Sequence, residues 1–110
     1  MPTRRGDLVI VAAPGDYGKP RPAVIVQSGA IPESHASVVI CQLTSELAEA
    51  DFRVTIWPEP ETGLRVRSQV MADKPVTIRR ERVGQPIGRL AAADMARLNV
   101  ALALVMGLAD

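Results

Sequence analysis

Cysteine, histidine and aromatic side chains are scarce in this chain of 110 residues. The single cysteine, Cys41, excludes a disulfide framework within the chain and leaves no cysteine set for structural zinc. The single histidine, His35, excludes a histidine-rich metal site and argues against a serine–histidine–aspartate triad. Aromatics make up 3%, with one each of Tyr17, Phe52 and Trp57, so stacking cannot dominate any binding of nucleic acid. No run approaches the roughly 18 uninterrupted apolar residues of a membrane-spanning helix. The basic opening, Met1 to Arg5, is followed by a short apolar run with Asp7 in it and no cleavage region, unlike a signal peptide. A cytoplasmic protein is expected. There is no glycine-rich phosphate loop, no Gly-x-Ser-x-Gly elbow and no His-Glu-x-x-His.

What is present fits a single domain spanning 1–110, with 47% hydrophobic and 23% charged residues. Thirteen basic residues nearly balance twelve acidic ones, but unevenly along the chain. Glu33 to Glu61 holds six acids against Arg53, whereas Arg65 to Arg89 holds seven bases against Asp73 and Glu81. Eleven of the bases are arginine, the side chain best suited to bidentate phosphate contacts.

Valine and isoleucine total 20 against nine leucines, which favours strands. Strands are expected at 5–13, 23–28, 38–44, 52–57 and 65–72, with short pieces at 76–78 and 83–90. The third is apolar on both faces and therefore central. His35 falls in a polar loop, and Cys41 reads as a small core residue. Residues 45–51 read as a loop or short helical turn. From Ala91 to Leu108 the pattern turns helical, with Met95, Leu98, Leu102, Val105 and Met106 on one stripe and Asp94 in the first turn. Val100 and Leu104 lie on the far side, as on a helix with a second burial partner. Five to seven short strands and one helix suggest a small barrel.

Several segments, in order, resemble the MazF/PemK family of toxin endoribonucleases. They are Arg5-Gly6-Asp7-Leu8-Val9, then Gly18-Lys19-Pro20-Arg21-Pro22-Ala23-Val24-Ile25-Val26, then Cys41-Gln42-Leu43-Thr44-Ser45. Thr62-Gly63-Leu64, Ser68-Gln69-Val70, Ile87-Gly88-Arg89-Leu90 and the helix end Met106-Gly107-Leu108 follow at matching separations. The resemblance implies a mainly β fold with a C-terminal helix, the small SH3-like barrel shared by MazF-, PemK- and CcdB-type toxins. It implies a homodimer that cleaves single-stranded RNA at short sequences and is neutralised by a cognate antitoxin. Arg21 and Thr44 match the family's catalytic residues. Lys19 and Tyr17 in the first loop, Ser45, and the pair Asp73-Lys74 would contact RNA. Ser45 could equally cap the turn that follows it.

The chemistry is coherent with those residue types. Attack of a 2′-hydroxyl on the adjacent phosphorus builds negative charge on the phosphate oxygens, and a fixed guanidinium stabilises it. Pro20 and Pro22 stiffen the backbone around Arg21. No metal or other cofactor is called for, although arginine itself is a poor base. Two departures from the family pattern stand out. Cys41-Gln42 replaces a small-apolar–proline pair, and Asp73-Lys74-Pro75 stands where a base-contacting glutamine often follows an acid. The alternative is a CcdB-like gyrase poison. Such chains lack the Arg-Pro segment after the first strand and end in a Trp-Gly-Ile-like terminus.

Overall fold

Strands form where the valine and isoleucine runs stand, because branched side chains pack well on a pleated surface. The structure is a computed structural model, and it describes residues 3–12, 19–108 and 110. Six strands among the described residues make one antiparallel sheet: β1 (Asp7–Val11), β2 (Arg21–Ile25), β3 (Ser37–Thr44), β4 (Arg53–Ile56), β5 (Ser68–Arg79) and β6 (Val83–Arg89). Their spatial order is β4-β5-β3-β2-β1-β6. β3 is interior as expected, and Val38, Ile40, Cys41 and Leu43 are buried. A short 3-10 turn, Arg80–Arg82, joins β5 to β6, and α1 (Ala92–Met106) follows.

The sheet is buried on both faces. Leu8, Val24, Cys41, Leu43 and Val70 pack on one side with Leu98 and Ala101 of α1. Val9, Val11, Ala23, Ile25, Val38, Ile40 and Ile78 pack on the other. Period-two alternation sends successive residues of each strand to opposite clusters. In β5 the parity changes midway. Leu43 pairs with Val70 and Cys41 with Pro75, so two steps along β3 face five along β5. The odd surplus of three residues turns the strand over, and so Val70 and Ala72 join the first cluster while Ile78 joins the second. The expected break at Asp73-Lys74-Pro75 is therefore a bulge within one long strand. Arg65 to Arg67 precede the strand instead of opening it.

The Arg-Gly-Asp opening is a structural clasp. Arg5 donates from Nε to the Val26 carbonyl at 2.9 Å and from Nη2 to Asn99 Oδ1 of α1 at 2.7 Å. Gly6 adopts φ +96°, a left-handed value that suits glycine. Asp7 is buried, paired with Arg89 of β6 at 2.6 Å, and accepts the Arg4 N–H at 2.8 Å. Three residues thus tie β1 to β2, β6 and the helix.

The barrel expected from strand spacing is not closed by strand pairing: β4 and β6 are the two edges of an open sheet. Pro58 and Pro60 have no N–H to donate, so β4 cannot extend its ladder. The gap is spanned by the turn after β4, where the Arg89 N–H donates to the Glu61 carbonyl at 2.7 Å. Thr62 Oγ1 holds that turn, donating to the Glu59 carbonyl and accepting from the Glu59 and Leu64 N–H groups. Gly63 has φ +69°, and a Cβ there would collide with the Ile87 carbonyl. Arg97 caps the open edge of β4, donating to the Thr55 carbonyl at 2.8 Å while paired with Asp94.

The helix starts without a side-chain cap and ends at Gly107 in the left-handed conformation. Leu98 and Ala101 are its buried residues, with Met95 and Leu102 packed beside them. Val105 and Met106, expected on the buried stripe, are exposed, because burial against β4 and β5 ends at Ala103. Val100 and Leu104 are exposed as well. No helix among the described residues is long and apolar enough to cross a membrane.

Candidate active site

One transverse row of residues crosses the whole sheet. Val83 pairs with Val11, Val11 with Arg21, Thr44 with Gln69, and Gln69 with Thr55. β2 and β3 pair from Ala23 opposite Gln42 to Ile25 opposite Ile40. Two further steps in the same register set Arg21 opposite Thr44. Directly opposed residues of antiparallel strands share a face, with Cα atoms about 4.5–5.5 Å apart. The ladder itself ends at Ala23 and Gln42, and its continuation puts Arg21, at the start of β2, and Thr44, at the end of β3, at the same end of the sheet although they are 23 positions apart in the chain. Both side chains are half-buried, held by the sheet yet open to a ligand.

Thr44 Oγ1 accepts the Glu46 N–H at 3.1 Å. The oxygen is engaged as an acceptor, which leaves the hydroxyl proton to donate. It is this residue, not Ser45, that caps the turn after β3. Ser45 is exposed beside it. Lys19 is exposed two residues before Arg21. Tyr17, in the same loop, lies outside the described residues.

Gln69, the neighbour of Thr44 on β5, carried no role in the sequence reading, although Ser68-Gln69-Val70 was one of the matching segments. It is buried, and its amide accepts the Ala48 N–H and donates to the Ala48 carbonyl, each at 2.9 Å, and to Thr55 Oγ1 at 3.2 Å. This brace fixes residues 45–50 as an ordered irregular loop, without the helical turn that was the alternative. Alternation puts Gln69 on the face opposite Val70, where the loop after β3 covers it, but nothing in sequence names Ala48 as its partner.

Asp73 and Lys74 occupy the surplus stretch of β5 opposite Gln42, one strand away from Thr44. Asp73 is not an isolated carboxylate. Arg53 of β4 donates to it from Nε at 2.9 Å and from Nη2 at 3.3 Å, and this hydrogen bonding holds its carboxyl below the usual 3.8. Lys74 is exposed.

Several arginines of the basic stretch from Arg65 to Arg89 have separate partners. Arg82 donates to the Ala12 carbonyl, next to Val11 and so near Arg21. Arg80 binds the His35 carbonyl, Arg79 pairs with Glu81 at 3.6 Å, and Arg89 is committed to Asp7. His35 is exposed, as its loop position implied. Cys41 is fully buried, and burial pushes its thiol up to about 12, so it is a core residue and no nucleophile at neutral pH.

Fold and row together define a small antiparallel β protein with one C-terminal helix and a cationic, hydroxyl-bearing site at opposed strand ends. Residues 4–106 match the family of PemK-like, MazF-like toxins of type II toxin-antitoxin systems, and the chain belongs to that family. It is 41% identical over 108 residues to a protein of Mycolicibacterium smegmatis called "Probable endoribonuclease MazF", covering 96% of this chain and 98% of that one. It is 30% identical to Endoribonuclease MazF9 of Mycobacterium tuberculosis, covering 96% and 97% of the two chains. Among solved structures, a mycobacterial endoribonuclease in complex with its cognate antitoxin superposes with a TM-score of 0.82 at 27% identity, covering 97% of each chain. Toxin MazF-mt6 of Mycobacterium tuberculosis superposes at 0.80 and 22% identity, over 92% of this chain and 96% of that one, a likeness of fold. The gyrase-poison alternative is not favoured by these matches.

Proposed function

We propose that the chain cleaves single-stranded RNA without a metal ion, with Arg21 and Thr44 at the reacting phosphate. As a MazF-like member of its family it is a toxin endoribonuclease. The observation that carries the assignment of residues is the register of β2 and β3, under which Arg21 stands opposite Thr44. In the proposed step the 2′-hydroxyl releases its proton to solvent as its oxygen attacks the adjacent phosphorus, the bond to the 5′-oxygen breaks, and that oxygen takes up a proton from solvent and leaves as a hydroxyl. The products are a 2′,3′-cyclic phosphate and a free 5′-hydroxyl. The Arg21 guanidinium faces the charge that grows on the non-bridging oxygens, where a preorganised donor is worth roughly 3–4 kcal/mol. The Thr44 hydroxyl donates to the same phosphate. Lys19 and Ser45, each exposed beside one of the pair, hold flanking phosphates, and Tyr17 contacts a base. Asp73 and Lys74 border the site and bear on which base is accepted.

Partners follow from the same surface. A cognate antitoxin that blocks RNA would bring carboxylates to this cationic row on a segment that folds as it binds. Two copies of the chain meet through the exposed flank of α1, where Val100 is 71% and Leu104 53% exposed. A light-scattering mass of one chain at micromolar concentration would refute the dimer. A toxin that cuts cellular RNA would act in the cytoplasm. The test of the whole reading is incubation with single-stranded RNA in the presence of chelator, beside an assay of plasmid DNA with gyrase. Cleaved RNA and untouched plasmid are expected; intact RNA with cleaved plasmid would overturn the reading.

A further inference from the structure

Trp57 is 58% exposed, an unusual position for the chain's one tryptophan. Ile56 pairs with Ser68, so the next step sets Trp57 opposite Arg67, and the Arg67 guanidinium carbon lies 5.1 Å from the centre of the indole ring. Alternation from Thr55 puts Trp57 on the same face as Gln69 and Thr44. An open cavity of about 670 Å³ lies there, with Trp57, Arg67, Arg97, Gln69, Leu47 and Glu49 among its lining. Its far wall is the loop that starts at Thr44 and is braced by Gln69. A chain leaving a phosphate at Thr44 reaches the cavity along that loop, across two strand spacings or roughly 10 Å.

We propose that this cavity is a nucleobase subsite of the RNA substrate, in which a base beside the scissile position stacks on Trp57 and the adjoining phosphate lies on Arg67 and Arg97. The inference rests on the RNA-cleaving reading above and extends it to an additional contact. An indole face with a cation over it is the combination that binds unpaired bases, since every base has a face to stack and every linkage a charge to neutralise. Glu49 on the opposite wall repels phosphate and so orients the backbone toward the arginines. Gln69 does not read the base, because its amide is already engaged by Ala48 and Thr55.

The tryptophan is its own reporter. A mixed-sequence oligoribonucleotide with 2′-O-methyl riboses cannot be cleaved, and its binding is followed both by anisotropy of an end label and by Trp57 fluorescence. Binding should quench the fluorescence, both signals should weaken as salt rises, and Trp57→Ala should lower affinity by about tenfold, with Trp57→Phe recovering most of it. Arg67→Gln should lower affinity by a smaller factor. Circular dichroism establishes that each variant is folded. Labelled RNA that binds with no change in Trp57 fluorescence, and equally well to folded Trp57→Ala, would overturn the subsite and leave the RNA-cleaving reading standing. Absence of both binding and cleavage in the unmodified protein would sink the two together. Quenching by an acidic leucine-containing peptide but not by the oligonucleotide would assign the cavity to a protein ligand and overturn the proposal.

Discussion

The two faces of the sheet are built for different ends. Under α1 the surface is dry and aliphatic, running from Leu8, Val24 and Cys41 to Leu98 and Ala101, and its one titratable group stays protonated. The other face is aliphatic over part of its area, but along the row that crosses the strand ends it carries Arg21, Thr44, Gln69 and Thr55. Burial of apolar area stabilises the first face and is tolerant of which branched residue supplies it. The second face holds polar groups whose use depends on register, since a slip of one residue would turn every one of them to the other side. Stability and chemistry are thus separated across a single layer of backbone, and substitutions should separate them too.

The sharpest separation is expected at Arg21. Arg21→Ala should slow cleavage about 100- to 1,000-fold while the thermal midpoint stays within a few degrees. Cleavage at the wild-type rate by the folded variant would remove Arg21 from the chemistry. The converse substitution is Leu98→Ala, which opens a cavity under the helix and should cost about 3 kcal/mol of stability in denaturant titrations. Below its own midpoint the variant should still cut RNA. A loss under 1 kcal/mol would mean that the helix is not what seals that face.

Thr44→Val keeps the branched shape and removes the hydroxyl. A loss of about tenfold in rate, near 1.4 kcal/mol, is expected from single-turnover kinetics, and a rate within about twofold of wild type would count against a role for the hydroxyl. The smallest effect should come from Asp73→Asn, which breaks the ion pair with Arg53 and should cost about 1 kcal/mol at neutral pH. The folded carboxyl titrates below its unfolded value of 3.8. Its contribution is therefore complete above that pH and is lost as pH falls through the lower folded value. Thermal melts of the asparagine variant should accordingly depend less on pH below about 4 than those of the wild type. Identical acid profiles would show that the pair does not couple to folding.

Much of the frame was legible in the chain itself. Valine and isoleucine runs marked the strands, alternation marked the central one, and a change of period marked the helix, because these are local consequences of how side chains fill a pleat or a cylinder. The ordered segments that resemble the MazF/PemK toxins pointed to Arg21 and Thr44. Their physical meaning is now plainer: Arg5-Gly6-Asp7 and Thr62-Gly63-Leu64 are clasps that tie edges of the sheet together. Illegible were the pairings between distant positions. The three surplus residues in β5 exist only relative to β3, so no pattern within β5 could reveal the turn-over at Asp73-Lys74-Pro75. The brace from Gln69 to Ala48, the pair of Arg53 with Asp73, and the stack of Arg67 on Trp57 likewise join residues 21, 20 and 10 positions apart, and they follow from how the strands pair. By itself the sequence determined which segments are strands, which is the helix, and which residue types stand ready for phosphate chemistry, since these depend on neighbours along the chain. Only the tertiary structure decided which of those residues face one another, how the sheet is spanned without closing, and where the helix stops being buried, because each is set by contacts whose partners the chain keeps far apart until it folds.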